Sequence, residues 1–236
     1  MLRRVLRDHN DEDYDQCVNQ EFTGFPKDAG LNHNLPPAQP GFIEGLVLDG
    51  YRPMPVDKID GAVLHADNPH SMTLPHIAGE WGEYGGNLKT ARMQSGYNGA
   101  NLVYARNQAL GEIGAADPPG QANVTTFTTD GNTLDLYTHY AEDGKYHQRI
   151  VGGASLTGSY QGFRQGYRML RNAQDHARET SYALRNRLRT YYRTDRETHP
   201  QTAPSQFQTF VASVLTFWAM VVFVCLVIED MSYKRR

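Results

Sequence analysis

Between Phe207 and Ile228 the chain runs through FQTFVASVLTFWAMVVFVCLVI without one charged side chain. At about 1.5 Å of rise per residue, the apolar core from Phe210 to Ile228 would span about 28 Å, close to the hydrocarbon thickness of a bilayer. A lone segment in lipid can satisfy its own backbone groups only as a helix. Residues 207–228 are therefore predicted to form a transmembrane helix, bounded by Phe207 and Ile228 and with membrane lipid as its partner. The competing reading is a buried core helix, but such helices are usually shorter and keep a polar stripe.

The rest of the chain has a different character. Of its 236 residues 39% are hydrophobic, and the mean hydropathy is −0.59, as in a polar globular protein rather than a polytopic one. That length suits one domain of ordinary size plus an appendage. The first residues, MLRRVLRDHNDEDYDQ, contain no apolar stretch that would read as a secretory signal, and EDMSYKRR follows the apolar segment. This layout resembles that of tail-anchored proteins. It leads us to expect a single-pass membrane protein with its large domain on the cytosolic side, although Lys/Arg counts on the two flanks do not choose an orientation. The two cysteines are Cys17 and Cys225, so the soluble part has no disulfide framework.

Charge is unevenly spread. Residues 1–150 carry 11 Lys/Arg against 20 Asp/Glu, whereas residues 151–206 carry 9 Arg against 4 Asp/Glu. A nearly neutral total thus hides an acidic body and a basic segment next to the apolar run.

Residues 1–40, acidic, polar and ending in LPPAQP, are expected to be an irregular lead-in. The domain proper is expected over 41–193. A juxtamembrane linker over 194–206, the helix over 207–228 and a tail over 229–236 follow it. Within the domain, Gly45–Asp49, Gly61–His65 and Ser71–Trp81 read as extended segments, the last interrupted by Pro75. Leu88–Ile113 reads as a helix whose buried face includes Ala91, Met93, Leu102 and Leu110, with Gly96 and Gly99 placed for close packing. Thr/Val/Phe/Tyr-rich alternation broken by DGN at 130–132 and EDG at 142–144 predicts a three-strand meander. Ser159–Arg193 reads as a long helix with one apolar stripe, through Leu170, Ala177, Leu184 and Leu188, and arginines on the remainder. The expected fold class is α/β (α+β), with a central mixed sheet flanked by helices.

Several chemistries are not signalled. There is no Gly-rich phosphate loop, CxxC pair, HExxH zinc motif or serine nucleophile elbow. His76 and His139, next to apolar residues, read as structural.

The stretches LPHIAGEWGEYGGNLKTARMQSGYNGANLVYARNQALGEIG (74–114), VTTFTTDGNTLDLYTHYA (124–141) and YQGFRQGYRMLRNAQDHARETSYALRNRL (160–188) resemble an uncharacterised fungal domain family. That family in turn resembles the PD-(D/E)xK nuclease-like superfamily, which implies a restriction-endonuclease-like fold. The family pattern carries Pro-Asp where this chain has Pro40-Gly41, and Glu-Trp-Lys where it has Glu80-Trp81-Gly82. Gln94 falls on the helix that follows the sheet, where the superfamily often bears a Gln. In an active member an Asp and a Glu hold Mg²⁺, and the Lys orients the attacking water. Here Glu80 and Gln94 remain, but Gly41 cannot ligate a metal and Gly82 cannot act on water. The resemblance therefore implies a remnant site of Glu80, Gln94 and Lys89, with no cofactor. In the alternative, Glu44 or Asp49 replaces the missing acid, Glu80 and Glu44 hold Mg²⁺, Lys89 acts as a migrated lysine, and the protein is a Mg²⁺-dependent nuclease.

The basic helix has three readings. Arg164, Arg168, Arg171, Arg178 and Arg185 could form a solvated face, contact anionic lipid, or hold nucleic-acid phosphates. The expected function is a membrane-anchored, degenerate nuclease-like domain serving as a non-catalytic binding or scaffold module. A membrane-surface adaptor without nucleic-acid binding is a further alternative. The sequence names no protein partner.

Overall fold

The computed structural model describes residue 6 and residues 9–65, 68–83, 85 and 87–198, with side chains as far as residue 194. The predicted transmembrane segment between Phe207 and Ile228 lies outside the described residues. Residues 1–192 form one compact unit, so the segment expected to be a separate lead-in belongs with the domain.

At the centre lies the strand β3, Met72–Trp81, buried along its length except at Trp81. A strand covered on both faces has no reason to alternate, which is why MTLPHIAGE reads as an apolar and small-residue run. Pro75 does not interrupt it. The neighbouring strand β2, Phe42–Val47, shifts register between Glu44 and Leu46, and Gly45 lies against the Pro75 ring. A bulge is where a sheet tolerates a proline, since the ladder needs no N–H there.

Strand β1, Tyr14–Cys17, pairs antiparallel with β2. The expectation of an irregular 1–40 segment missed it, because only Tyr14 of YDQC turns inward and its neighbours are polar. Phe22, also from this segment, is buried in the core. Gly61–His65, expected as a strand, makes only an isolated bridge between Val63 and Thr73.

Helix α1, Lys89–Glu112, crosses over to β4, Val124–Thr129, which runs parallel to β3. Strands β5, Thr133–Glu142, and β6, Lys145–Ser155, complete the meander. Asp143 and Gly144 both hold positive φ (50° and 72°) in the β5–β6 turn, the backbone a tight hairpin with right-handed strand twist requires. Helix α2, Tyr160–Thr198, follows. The sheet order is β1-β2-β3-β4-β5-β6, antiparallel throughout except at β3/β4. This is a mixed sheet of the α+β class.

Successive side chains in a strand face opposite sides, so the two helices read different residues. Leu170 and Ala177 of α2 pack with Phe42, Ile77, Phe127, Leu134 and Leu136. Helix α1 covers the other face, where Ser95 meets Thr126 and Asn98 meets Glu80. Gly96 and Gly99 do serve close packing, since a methyl on either would press on Gln148 or His139 respectively. Met93, expected on the buried face, is 68% exposed.

Candidate functional site

The face under α1 is buried and partly polar: Leu102 and Val103 pack with Ile43, Ala78 and Val124, but the strands beside them carry polar side chains. In one row across the sheet Glu80 of β3 pairs with Thr128 of β4, and Thr128 with Asp135 of β5. Neighbouring strands stand about 4.8 Å apart, so Thr128 separates the two carboxylate-bearing positions by one strand. Asn98 Nδ2 donates to Glu80 Oε1 at 2.5 Å, and the Gly41 backbone N–H donates to the same carboxyl. Burial pushes the Glu80 carboxyl up to about 7, while these two donors pull the other way. Close to neutral pH it therefore exchanges a proton inside the fold. Thr128 is fully buried, and its Oγ1 has no hydrogen-bond partner among the described residues. Asp135 accepts from Arg92 Nη2 at 2.8 Å and from the Tyr137 hydroxyl at 3.3 Å.

A second polar layer lies beside it, two residues back along β4. Ser95 Oγ and Thr126 Oγ1 are 2.6 Å apart, and Thr126 Oγ1 is 2.7 Å from His139 Nε2. Gln148 Nε2 donates to Ser95 Oγ at 3.2 Å. Burial drives the His139 imidazole down to about 4, so it stays neutral.

A third cluster ties the two helices together through β3. Arg106 holds Asp117 through two hydrogen bonds, of 2.6 and 2.8 Å, and its Nη1 is 2.8 Å from His76 Nε2. A guanidinium can only donate, so Nε2 accepts; Nδ1 then carries the proton and donates to Ser181 Oγ at 2.8 Å. Burial, reinforced by the Arg106 charge, keeps His76 well below the ordinary histidine range. Arg106, Asp117, Asn123, His139 and Glu142 line a cleft of about 370 Å³ beside this cluster. Both histidines are thus buried and hydrogen-bonded within the fold.

The residues singled out from the sequence do not converge. Glu44 pairs with Ile77, whereas Glu80 lies three positions further along β3, so the two carboxylates emerge on opposite faces of the sheet. Glu44 is 1% exposed and accepts from Gln174 Nε2 of α2 at 2.8 Å and from the Tyr14 hydroxyl at 3.3 Å. Asp49 pairs with Arg52 at 3.0 Å. Gln94 and Lys89 are exposed on α1, whereas Glu80 is buried. A side chain at Gly41 would run into the Trp81 indole, with Cβ 2.6 Å from Cδ1, and one at Gly82 would press on Leu88. Among the described residues no group of three His, Cys, Asp or Glu side chains is placed to hold a metal ion. On the face of Glu80 the donor set does not fit Mg²⁺, because Asp135 lies two strands away and is already engaged by Arg92.

The chain matches no protein-family model, no curated protein and no solved structure with which it was compared.

The arginines of α2 divide into two groups. Arg178 grips Asp11, and Arg185 is 8% exposed and donates to Asp13 at 2.9 Å. The Tyr182 ring lies beneath both guanidiniums, and its hydroxyl donates to Asp11 at 2.8 Å. These two arginines pin the N-terminal segment to the helix, which corrects the expectation that they face a phosphate or lipid. Arg164 and Arg168 are exposed, and Arg171 is half-buried with its guanidinium 4.5 Å from the Tyr167 ring centre.

Sequence reasoning missed Asn98, Ser95 and Thr126. Their signal was present: Ser95, Asn98 and Asn101 recur every three residues along α1, a polar stripe on the face that the crossover has to bury.

Proposed function

We propose that this chain is a membrane-tethered, non-catalytic binding or scaffold module built on a degenerate nuclease-like domain. The observation that carries the reading is the placement of Glu80 and Glu44 on opposite faces of the sheet. A phosphodiesterase centre needs two acidic ligands around one metal and a group to position water. Glu80 instead has an amide and a backbone N–H as its neighbours, and burial favours its protonated form. The mixed sheet with a helix on each face supports the restriction-endonuclease-like reading of the fold. Among the described residues no helix is long and apolar enough to cross a membrane, so the tether rests on the sequence of 207–228.

The test is direct. Highly purified full-length protein, supplied with Mg²⁺ or Mn²⁺, should leave single- and double-stranded DNA and RNA intact. Cleavage that disappears in Glu80→Ala would overturn the non-catalytic reading. For the tether, the full chain should resist carbonate extraction from membranes, whereas a chain ending at Thr202 should be soluble without detergent. Release of the full chain by carbonate would remove the membrane part of the proposal.

A further inference from the structure

Among the described residues, helix α2 carries an aromatic and basic stripe at its N-terminal end. Tyr160, Phe163, Arg164, Tyr167, Arg168 and Arg171 recur at helical spacing, so they share one side of the helix. Tyr160 is 74% exposed, the Phe163 and Tyr167 rings stack with centres 6.3 Å apart, and Arg164 lies 5.6 Å from the Tyr160 ring centre. The first five of these residues line a groove of about 330 Å³, with no carboxylate among its described residues. The domain beneath it is acidic overall, so this basic, aromatic surface stands out against its surroundings.

We propose that this stripe binds single-stranded nucleic acid, with bases stacking on the tyrosine and phenylalanine rings and phosphates held by Arg164 and Arg168. Aromatic rings interleaved with arginine are what an unpaired strand requires, because every base offers a π face and every linkage a negative charge. Arg164 and Arg168 are about 6 Å apart along the helix axis, so they can address separate phosphates. A bilayer fits less well. An anionic surface would meet the whole outer line of the helix, and further along it Arg178 and Arg185 are already engaged by Asp11 and Asp13. A strand can cross the helix at one end and needs neither. The stripe lies on the α2 side of the sheet, away from Glu80, so this inference supplies a partner for the binding module without depending on the cleavage test.

The experiment is fluorescence anisotropy of labelled oligo-dT and oligo-U with the full chain in neutral detergent, at several salt concentrations. Arg164→Glu/Arg168→Glu should weaken binding and flatten the log–log salt dependence by about 1.4, at about 0.7 per single-strand phosphate contact. Tyr160→Ala should weaken binding roughly fivefold or more while leaving the salt slope unchanged. Arg187→Glu/Arg189→Glu, exposed on the same helix but outside the stripe, should bind like the parent. Unchanged circular dichroism and melting would show that each variant is folded. Equal affinity of the parent and the Arg164/Arg168 variant would overturn the proposal. So would a loss confined to phosphatidylserine vesicles, which would assign the stripe to a membrane surface.

Discussion

The imidazole of His139 lies against the backbone of Gly99, where a methyl group would collide with its Nδ1 edge. The ring is fixed from the other side by Thr126, itself bonded to Ser95 one turn before Gly99. Gly99→Ala would gain about 1 kcal/mol in helix propensity. Overpacking against a fixed, buried ring costs about 1–3 kcal/mol, and disturbing the Ser95–Thr126–His139 layer adds to it. We expect a net loss of stability of about 1–3 kcal/mol in urea unfolding at an unchanged m value. Equal or greater stability would mean that the ring swings aside freely.

Glu80 and His139 oppose each other in their pH dependence. The Glu80 pKa is raised in the fold from 4.5 to about 7, so between those values the native state holds a proton that the unfolded chain has lost. Its contribution is present below pH 4.5 and declines as pH rises towards 7. His139 is lowered from 6.5 to about 4, so the unfolded chain takes the extra proton, and stability declines as pH falls through that window. His76 acts in the same direction as His139. Glu80→Gln retains an acceptor for Asn98 and removes the ionisation. At pH 8 it should be more stable than the parent by roughly 1–3 kcal/mol, and that advantage should vanish near pH 4.5. A constant difference across this range would show that Glu80 does not titrate between the two values.

The elements came through from the sequence where their period was strong. Leu170, Ala177, Leu184 and Leu188 marked the docked stripe of α2, and the two glycine turns marked β4 to β6. The signal failed where burial and polarity part company. Helix α1 buries Ser95, Asn98 and Asn101, so an apolar period could not show which way it faces, and Met93 was assigned inward. β1 was hidden because an edge strand with one inward tyrosine has almost no alternation. The candidate site suffered from a related gap: parity along a strand is legible only once register is known, and the β2 bulge at Gly45 sets which face Glu44 takes.

Restoring the acid and lysine of the family pattern should not restore a site. A side chain at position 41 leaves the backbone toward the Trp81 indole, whereas the Gly41 N–H is what faces Glu80. At position 82 a side chain presses on the flexible end of Leu88. Gly41→Asp/Gly82→Lys should therefore be destabilised, by about 1–3 kcal/mol, and remain silent in a Mg²⁺-dependent cleavage assay. Cleavage by the double variant, abolished by a further Glu80→Ala, would show that the backbone at 41 re-aims and that the two carboxylates can meet.

Helix α2 offers the sharpest contrast within three residues. Leu170 is fully buried among Phe42, Ile77 and Phe127, while Arg168 is exposed. Leu170→Asp would place an unpaired charge in an apolar cluster, since the neighbouring Phe42 and Ile77 offer it no donor side chain. The expected cost is about 3–5 kcal/mol, a large part of the stability of a domain this size. Arg168→Asp should stay within about 0.5 kcal/mol, because water solvates either charge there. Both are read from the midpoint of chemical denaturation. The large difference follows from α2 lying on the sheet by its apolar stripe; if the two variants unfolded at the same denaturant concentration, the packing of α2 on Phe42 and Phe127 would have to be abandoned.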